Sequence, residues 1–160
     1  MMSLAMQLPA AIVNKLRCWS FYFWGCYRGT LEYIAEDSSE VRLELPLSRR
    51  TRNYEGTIFG GSIYSAIDPF CMLMLMHRLG PDFIVWDKAA KIEFLKPGRE
   101  TLHARFVIDD AELASIRAAL DTQRSVDRSD VVELTDGKGT VCARVEKIIY
   151  IRRESTSTRS

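Results

Sequence analysis

The sequence predicts an α+β fold in which a long antiparallel sheet wraps around one central buried helix. Three observations carry that expectation. The segment from Ser62 to Leu79 is apolar on every side, with Met72, Met74 and Met76 among Leu and Ile, which describes a helix covered all round. Strand-like segments stand on both sides of it, with apolar residues at every second position. A sheet that curls round the helix is the arrangement that covers all of its faces.

The elements follow in order. Leu8, Ile12, Leu16, Trp19 and Phe23 recur at helical spacing and predict an extra amphipathic helix, about Pro9 to Trp24, within an N-terminal segment 1–27. Trp19, Phe21, Tyr22, Phe23, Trp24 and Tyr27 crowd its far end, which suits packing on a sheet or partner subunit, or a membrane surface. The main domain spans 28–153. Leu31, Tyr33 and Ala35 alternate, Val41, Leu43, Leu45 and Leu47 do so more strictly, and the polar Asp37-Ser38-Ser39 turn joins the two strands. Beyond the central helix, Ile84, Trp86, Ala90, Ile92 and Phe94 mark one long strand that stops at Pro97-Gly98. Leu102, Ala104, Phe106 and Ile108 mark the next. Asp109 with Glu112 forms a capping box ahead of a short helix whose buried stripe is Leu113, Ile116 and Leu120. Val131, Val132 and Leu134 read as a strand, Asp136-Gly137 as its turn, and Val141 to Ile151 as a last long strand. The Ser/Thr/Arg tail, 154–160, is expected to be disordered.

With 160 residues, 47% of them hydrophobic and 27% charged, the chain is sized for one domain with a real core. A net charge of +1, with no RNA-binding signature or zinc spacing, argues against a nucleic-acid partner. Cys18, Cys26, Cys71 and Cys142 lie far apart, so packed, reduced thiols and a cytoplasmic setting are expected. Lys15 and Arg17 interrupt the first apolar run instead of preceding it, which argues against a secretory signal. Asp68 and Pro69 break the Ser62–Leu79 run, so no integral membrane segment is expected.

The stretch from Asn53 to Asp68 holds the candidate chemistry. Gly60-Gly61 lets a backbone come close to whatever lies at the helix start, where free N–H groups and the dipole polarise an oxygen. Two turns later Asp68 places a carboxylate in apolar sequence, which is costly unless something pairs it. Two readings of Asp68 stand. Asp68-Pro69 suits a helix restart with Asp68 as N-cap, and it equally suits a kinked helix that aims a general base into a cleft.

The Asn-x-x-Gly-x-x-x-Gly-Gly loop, with Asp68 seven residues after Gly61, resembles the hotdog-fold acyl-CoA thioesterases of the phenylacetate-pathway type. The likeness runs from about Gly29 to Ile151 and is specific from Asn53 to Asp68; Ile84–Ala90 and Lys96–Gly98 resemble an uncharacterised branch of that superfamily. By this resemblance Gly61 N–H polarises the thioester carbonyl, Asp68 activates water or attacks, and Asn53 orients the loop. Phe59 stands where the family usually has His, and Met72 where some relatives carry a hydroxyl.

The reaction implied is hydrolysis of an acyl-CoA or other acyl thioester, with no metal or redox cofactor. Phe59 and Gly60 border the expected substrate site, and Arg49, Arg50 and Arg52 are candidates for the phosphates of coenzyme A. The alternatives are a non-catalytic acyl-CoA or acyl-carrier binding protein, and a structural partner that uses its aromatic N-terminal helix. An open sheet edge predicts a homodimer or a dimer of dimers, with Gly61 of one chain facing Asp68 of the other as the resemblance implies. His77 and His103 receive no role, and His103 is expected on a solvated strand face.

Overall fold

The computed structural model describes residues 29–154, so the helix and aromatic cluster expected at the N-terminus and the disorder expected of the tail lie outside the described residues. The described chain runs β1 (Thr30–Ile34), β2 (Glu40–Leu45), α1 (Gly60–Ile67), α2 (Phe70–Leu79), β3 (Phe83–Phe94), β4 (Leu102–Val107), α3 (Asp110–Thr122), β5 (Ser125–Thr135) and β6 (Val141–Arg153). All strand pairs are antiparallel, and the spatial order β1-β2-β4-β5-β6-β3 leaves β1 and β3 as edges.

The inner face of the sheet meets α1 and α2. Ile63, Ala66, Ile67, Phe70, Cys71, Met74 and Leu75 pack into one core with Leu43, Leu45, Leu102, Leu134, Val145 and Ile149. The strict alternation of Val41, Leu43 and Leu45 is borne out, as is that of Leu102, Ala104 and Phe106. The stripe Leu113, Ile116 and Leu120 is buried too. Asp109 caps α3 by accepting the Glu112 N–H at 2.7 Å, but the Glu112 carboxylate turns to buried Arg128 instead of closing the box.

The central helix is present and is interrupted where the sequence allowed a kink or a restart: it runs as α1 and α2, with Asp68 and Pro69 between them in helical backbone conformation. Two expectations need correction. The central helix is not covered all round: Met72, Leu73 and Met76 are only half-buried, leaving a flank open. In β1 a register irregularity between Leu31 and Tyr33 shifts the pleat, so Tyr33 is 44% exposed while Leu31 is buried.

β3 shows the same effect with more consequence. A bulge between Asp87 and Ala89 switches its parity. Ahead of the bulge Phe83 and Val85 are buried and Trp86 is exposed, so the inward face there is Phe83, Val85 and Asp87. Past it Ala90, Ile92 and Phe94 pair with Lys147, Val145 and Ala143, which share the inward face of β6. A single alternation from Ile84 to Phe94 therefore holds for the second half only.

Candidate active site

The loop before α1 is tied down by its small polar residues. Thr51, 1% exposed, donates its hydroxyl to the Pro46 carbonyl at 2.7 Å and accepts the Ser48 N–H at 2.8 Å. Its own carbonyl takes the Phe59 N–H at 2.7 Å, which fixes the entry to the helix. Asn53 Oδ1 accepts the N–H groups of Glu55 and Thr57, and its Nδ2 donates to the Thr57 hydroxyl at 3.0 Å. The Asn53 amide thus holds the 53–57 turn in shape.

Phe59 is extended and opens α1. The Ser62 and Ile63 N–H groups both return to the Phe59 carbonyl, at 2.9 and 3.1 Å, so the open donors of the first turn belong to Gly60 and Gly61. Both glycines lie under phenyl rings. A Cβ on Gly61 would sit 2.4 Å from Phe59 Cε1, and one on Gly60 2.7 Å from Phe94 Cζ. The rings are themselves more than half exposed, at 56% and 59%, so this helix end has an apolar rim open to solvent.

Asp68 closes α1, giving its N–H to the Tyr64 carbonyl at 3.0 Å. Pro69 has no N–H to continue the ladder. The Asp68 carbonyl accepts from Lys147 Nζ at 2.8 Å, and the same ammonium donates to Asp68 Oδ1 at 2.6 Å. No side chain caps α2, so the N-cap reading of Asp68 is set aside: its carboxylate is spent on a lysine.

Lys147 projects from the inward face of β6 and is 1% exposed, and it also meets Asp87 Oδ2 at 2.9 Å. Burial pulls the pKa of this ammonium down, yet the bonds and charges of Asp68 and Asp87 lift it above the ordinary lysine value overall. Burial raises the pKa of Asp87, against the opposing pull of Lys147. Asp87 Oδ1 is buried without a hydrogen-bond partner among the described residues. The Tyr64 ring stands 5.5 Å from Lys147 Nζ, and its phenol pKa is raised by burial and by a hydrogen bond to Asp68.

Over residues 11–151 the chain matches the model of the family described as domain of unknown function DUF4442. It belongs to that family.

No curated protein matches the DUF4442 chain at a significant level. Among solved structures, it resembles a Pseudomonas aeruginosa protein of unknown function described as a probable thioesterase, with a TM-score of 0.77 at 17% identity, covering 92% of this chain and 97% of that one. A Haemophilus influenzae thioesterase gives 0.64 at 12% identity over 95% and 96% of the two chains. A Chlorobaculum tepidum protein of unknown function gives 0.69 at 13% identity over 91% and 94%. Likeness at such identities establishes the fold, and the antiparallel sheet around its helices is the hotdog fold.

In the DUF4442 chain the predicted residues fall into two groups. Asn53, Phe59, Gly60 and Gly61 gather at the start of α1, while Asp68 ends it. Seven residues at 1.5 Å each put the two groups about 10 Å apart along the helix axis. Arg49, Arg50 and Arg52 lie exposed on the loop upstream, with Arg52 bridged to Ile58. No helix among the described residues is long and apolar enough to cross a membrane.

Sequence reasoning missed Lys147, Asp87 and Tyr64. The signal for Lys147 was present, because Val145, Lys147, Ile149 and Ile151 share one strand parity and so one buried face. Asp87 was hidden by the bulge. His103 stands on the other side of the sheet with Glu32 and Glu44, their ligand atoms within 4.8 Å of one another, the one group of metal-ligating type among the described residues.

Proposed function

We propose that this chain hydrolyses acyl thioesters, with Asp68 as the base that activates water and the Gly61 N–H as the donor that polarises the carbonyl. The observation that carries this reading is the Asp68 carboxylate: Lys147 fixes one oxygen, yet the side chain remains 42% exposed. An anchored, ionised carboxylate with an open side is what general-base activation of water needs. The water oxygen attacks the thioester carbon as Asp68 takes its proton. Charge builds on the carbonyl oxygen, and the free N–H groups at the α1 start suit that oxyanion. Collapse breaks the C–S bond, and the proton on Asp68 goes to the departing thiolate.

One chain cannot bring both groups to one carbonyl, since about 10 Å of helix separates them. The proposed site is therefore shared in a homodimer, Gly61 from one copy and Asp68 from the other. The exposed rings of Phe59 and Phe94 offer apolar surface for the acyl part, and Arg49, Arg50 and Arg52 offer charge for phosphates of a coenzyme A carrier. The phenylacetate-pathway subtype and a cytoplasmic setting belong to the same proposal.

A second reading has one observation in its favour. The Phe59 ring lies against Gly61 and gives the substrate no polar contact, which suits a protein that binds acyl-CoA without turning it over. A screen of acyl-CoA chain lengths with a thiol-trapping dye, run beside Asp68→Asn, decides between the two. Turnover is expected in the wild type, with a loss of about a hundredfold or more in the variant and binding retained. A wild type that binds every acyl-CoA and releases no thiol overturns the hydrolase in favour of the binding protein.

A further inference from the structure

Two carboxylates converge on one buried ammonium, and the proposed chemistry uses only one of them. Lys147 Nζ lies 2.6 Å from Asp68 Oδ1 and 2.9 Å from Asp87 Oδ2, with its side chain 1% exposed. If Asp68 were its sole partner, each protonation of Asp68 would leave a buried ammonium unpaired. An uncompensated buried charge is among the costliest things a protein interior can hold. A base so constrained would bind the proton of water weakly.

We propose that Asp87 is a positioning residue for the reaction at Asp68: it keeps the Lys147 ammonium paired while Asp68 carries the proton taken from water. Asp87 comes from β3, Lys147 from β6 and Asp68 from the α1–α2 junction, so three elements meet at this one charge. The bulge between Asp87 and Ala89 is what gives Asp87 and Ala90 the same inward face, next to Lys147. In the resting state the group holds two carboxylates and one ammonium. After water gives Asp68 its proton, one carboxylate and one ammonium remain as an ordinary pair, and departure of the thiolate with that proton restores the start. Tyr64 on α1, Cys71 on α2, and Asp130 and Arg128 on β5 are the other titratable or charged groups nearby, and Asp130 is held by Arg128 at 3.0 Å.

This inference rests on Asp68 being the base, and two measurements separate its failure from the failure of that reading. Asp68→Asn mimics the protonated acid and needs no substrate. In that variant, NMR titration of labelled lysines is expected to find Lys147 still charged at neutral pH and above, held by Asp87. A Lys147 that loses its proton near neutral pH in Asp68→Asn overturns the role of Asp87. The second measurement is the pH profile of kcat. In Asp87→Asn, Lys147 belongs to Asp68 alone, so the acid limb moves to lower pH, by about one unit for each tenfold change in proton affinity, while KM stays within about twofold. Asp87→Glu keeps the charge and the wild-type limb. An active Asp87→Asn enzyme with an unmoved limb leaves Asp87 a structural residue only, whereas a wild type without turnover overturns the hydrolytic reading itself.

Discussion

The Phe59 ring and the Gly61 backbone share one small volume, so each limits what the other can become. A methyl on Gly61 would meet Phe59 Cε1 at 2.4 Å, an impossible contact, but the ring is 56% exposed and free to swing outward. Gly61→Ala should therefore fold with stability within about 1 kcal/mol of wild type and lose activity, because the moved ring reshapes the mouth of the proposed site. Denaturant midpoints beside thiol release check both halves. Phe59→His tests the same spot from the other side. It restores the residue that the resembling family usually carries, and turnover should rise; an unchanged rate in an otherwise folded variant counts against a weakened hydrolase.

At the scale of elements, α2 is a helix with two unequal sides. Leu75 is fully buried in the core and Leu73 is only half-buried. Truncating Leu75 to Ala should cost about 2–5 kcal/mol and Leu73 to Ala about 1 kcal/mol or less in the monomer, as read from urea unfolding. The junction between α1 and α2 has its own signature in pH. Lys147 keeps its proton more tightly in the folded protein than its ordinary value of 10.5, since its carboxylate partners outweigh the cost of burial. The stability from this pairing is thus fully present below about pH 10.5 and is lost as pH rises through the higher folded value. Urea midpoints of wild type and Lys147→Met should differ by a constant amount over the alkaline range up to that point, where the carboxylates are fully ionised, and converge above it. Convergence that begins near neutral pH would show a lysine that is not held this way.

For the molecule as a whole, the decisive feature is the open side of the sheet. β3 is a twelve-residue edge strand, with Ala89, Ala90 and Lys91 exposed, and the flank at Met72, Leu73 and Met76 is only half-covered. Long open edges invite pairing. A homodimer is the expected solution state, and sedimentation that finds only monomer at micromolar concentration removes the shared site. A mixing experiment asks more. When inactive Gly61→Val and Asp68→Asn chains are denatured together and refolded, half the dimers are hybrids and each has one intact site. About a quarter of wild-type activity should return if the site is shared between copies, and none if it lies within one chain.

The sequence by itself determined the α+β class, the inward faces of β2, β4 and α3, and the place of the glycine pair at a helix start. These follow from local periodicity and from residues that tolerate few backbones, and both are written along the chain. It also marked Asp68 as a carboxylate in need of a partner. Tertiary structure alone decided who that partner is. Lys147 lies 79 residues away in sequence, and Asp87 faces it from the inward side of β3, ahead of a bulge whose one extra residue puts the rest of that strand out of step. Periodicity carries no information about such an insertion until the paired strand is present to define the register. The half-open flank of α2 has the same origin. An apolar sequence says that a surface should be covered, and only the arrangement of strands says how much of it one copy can cover.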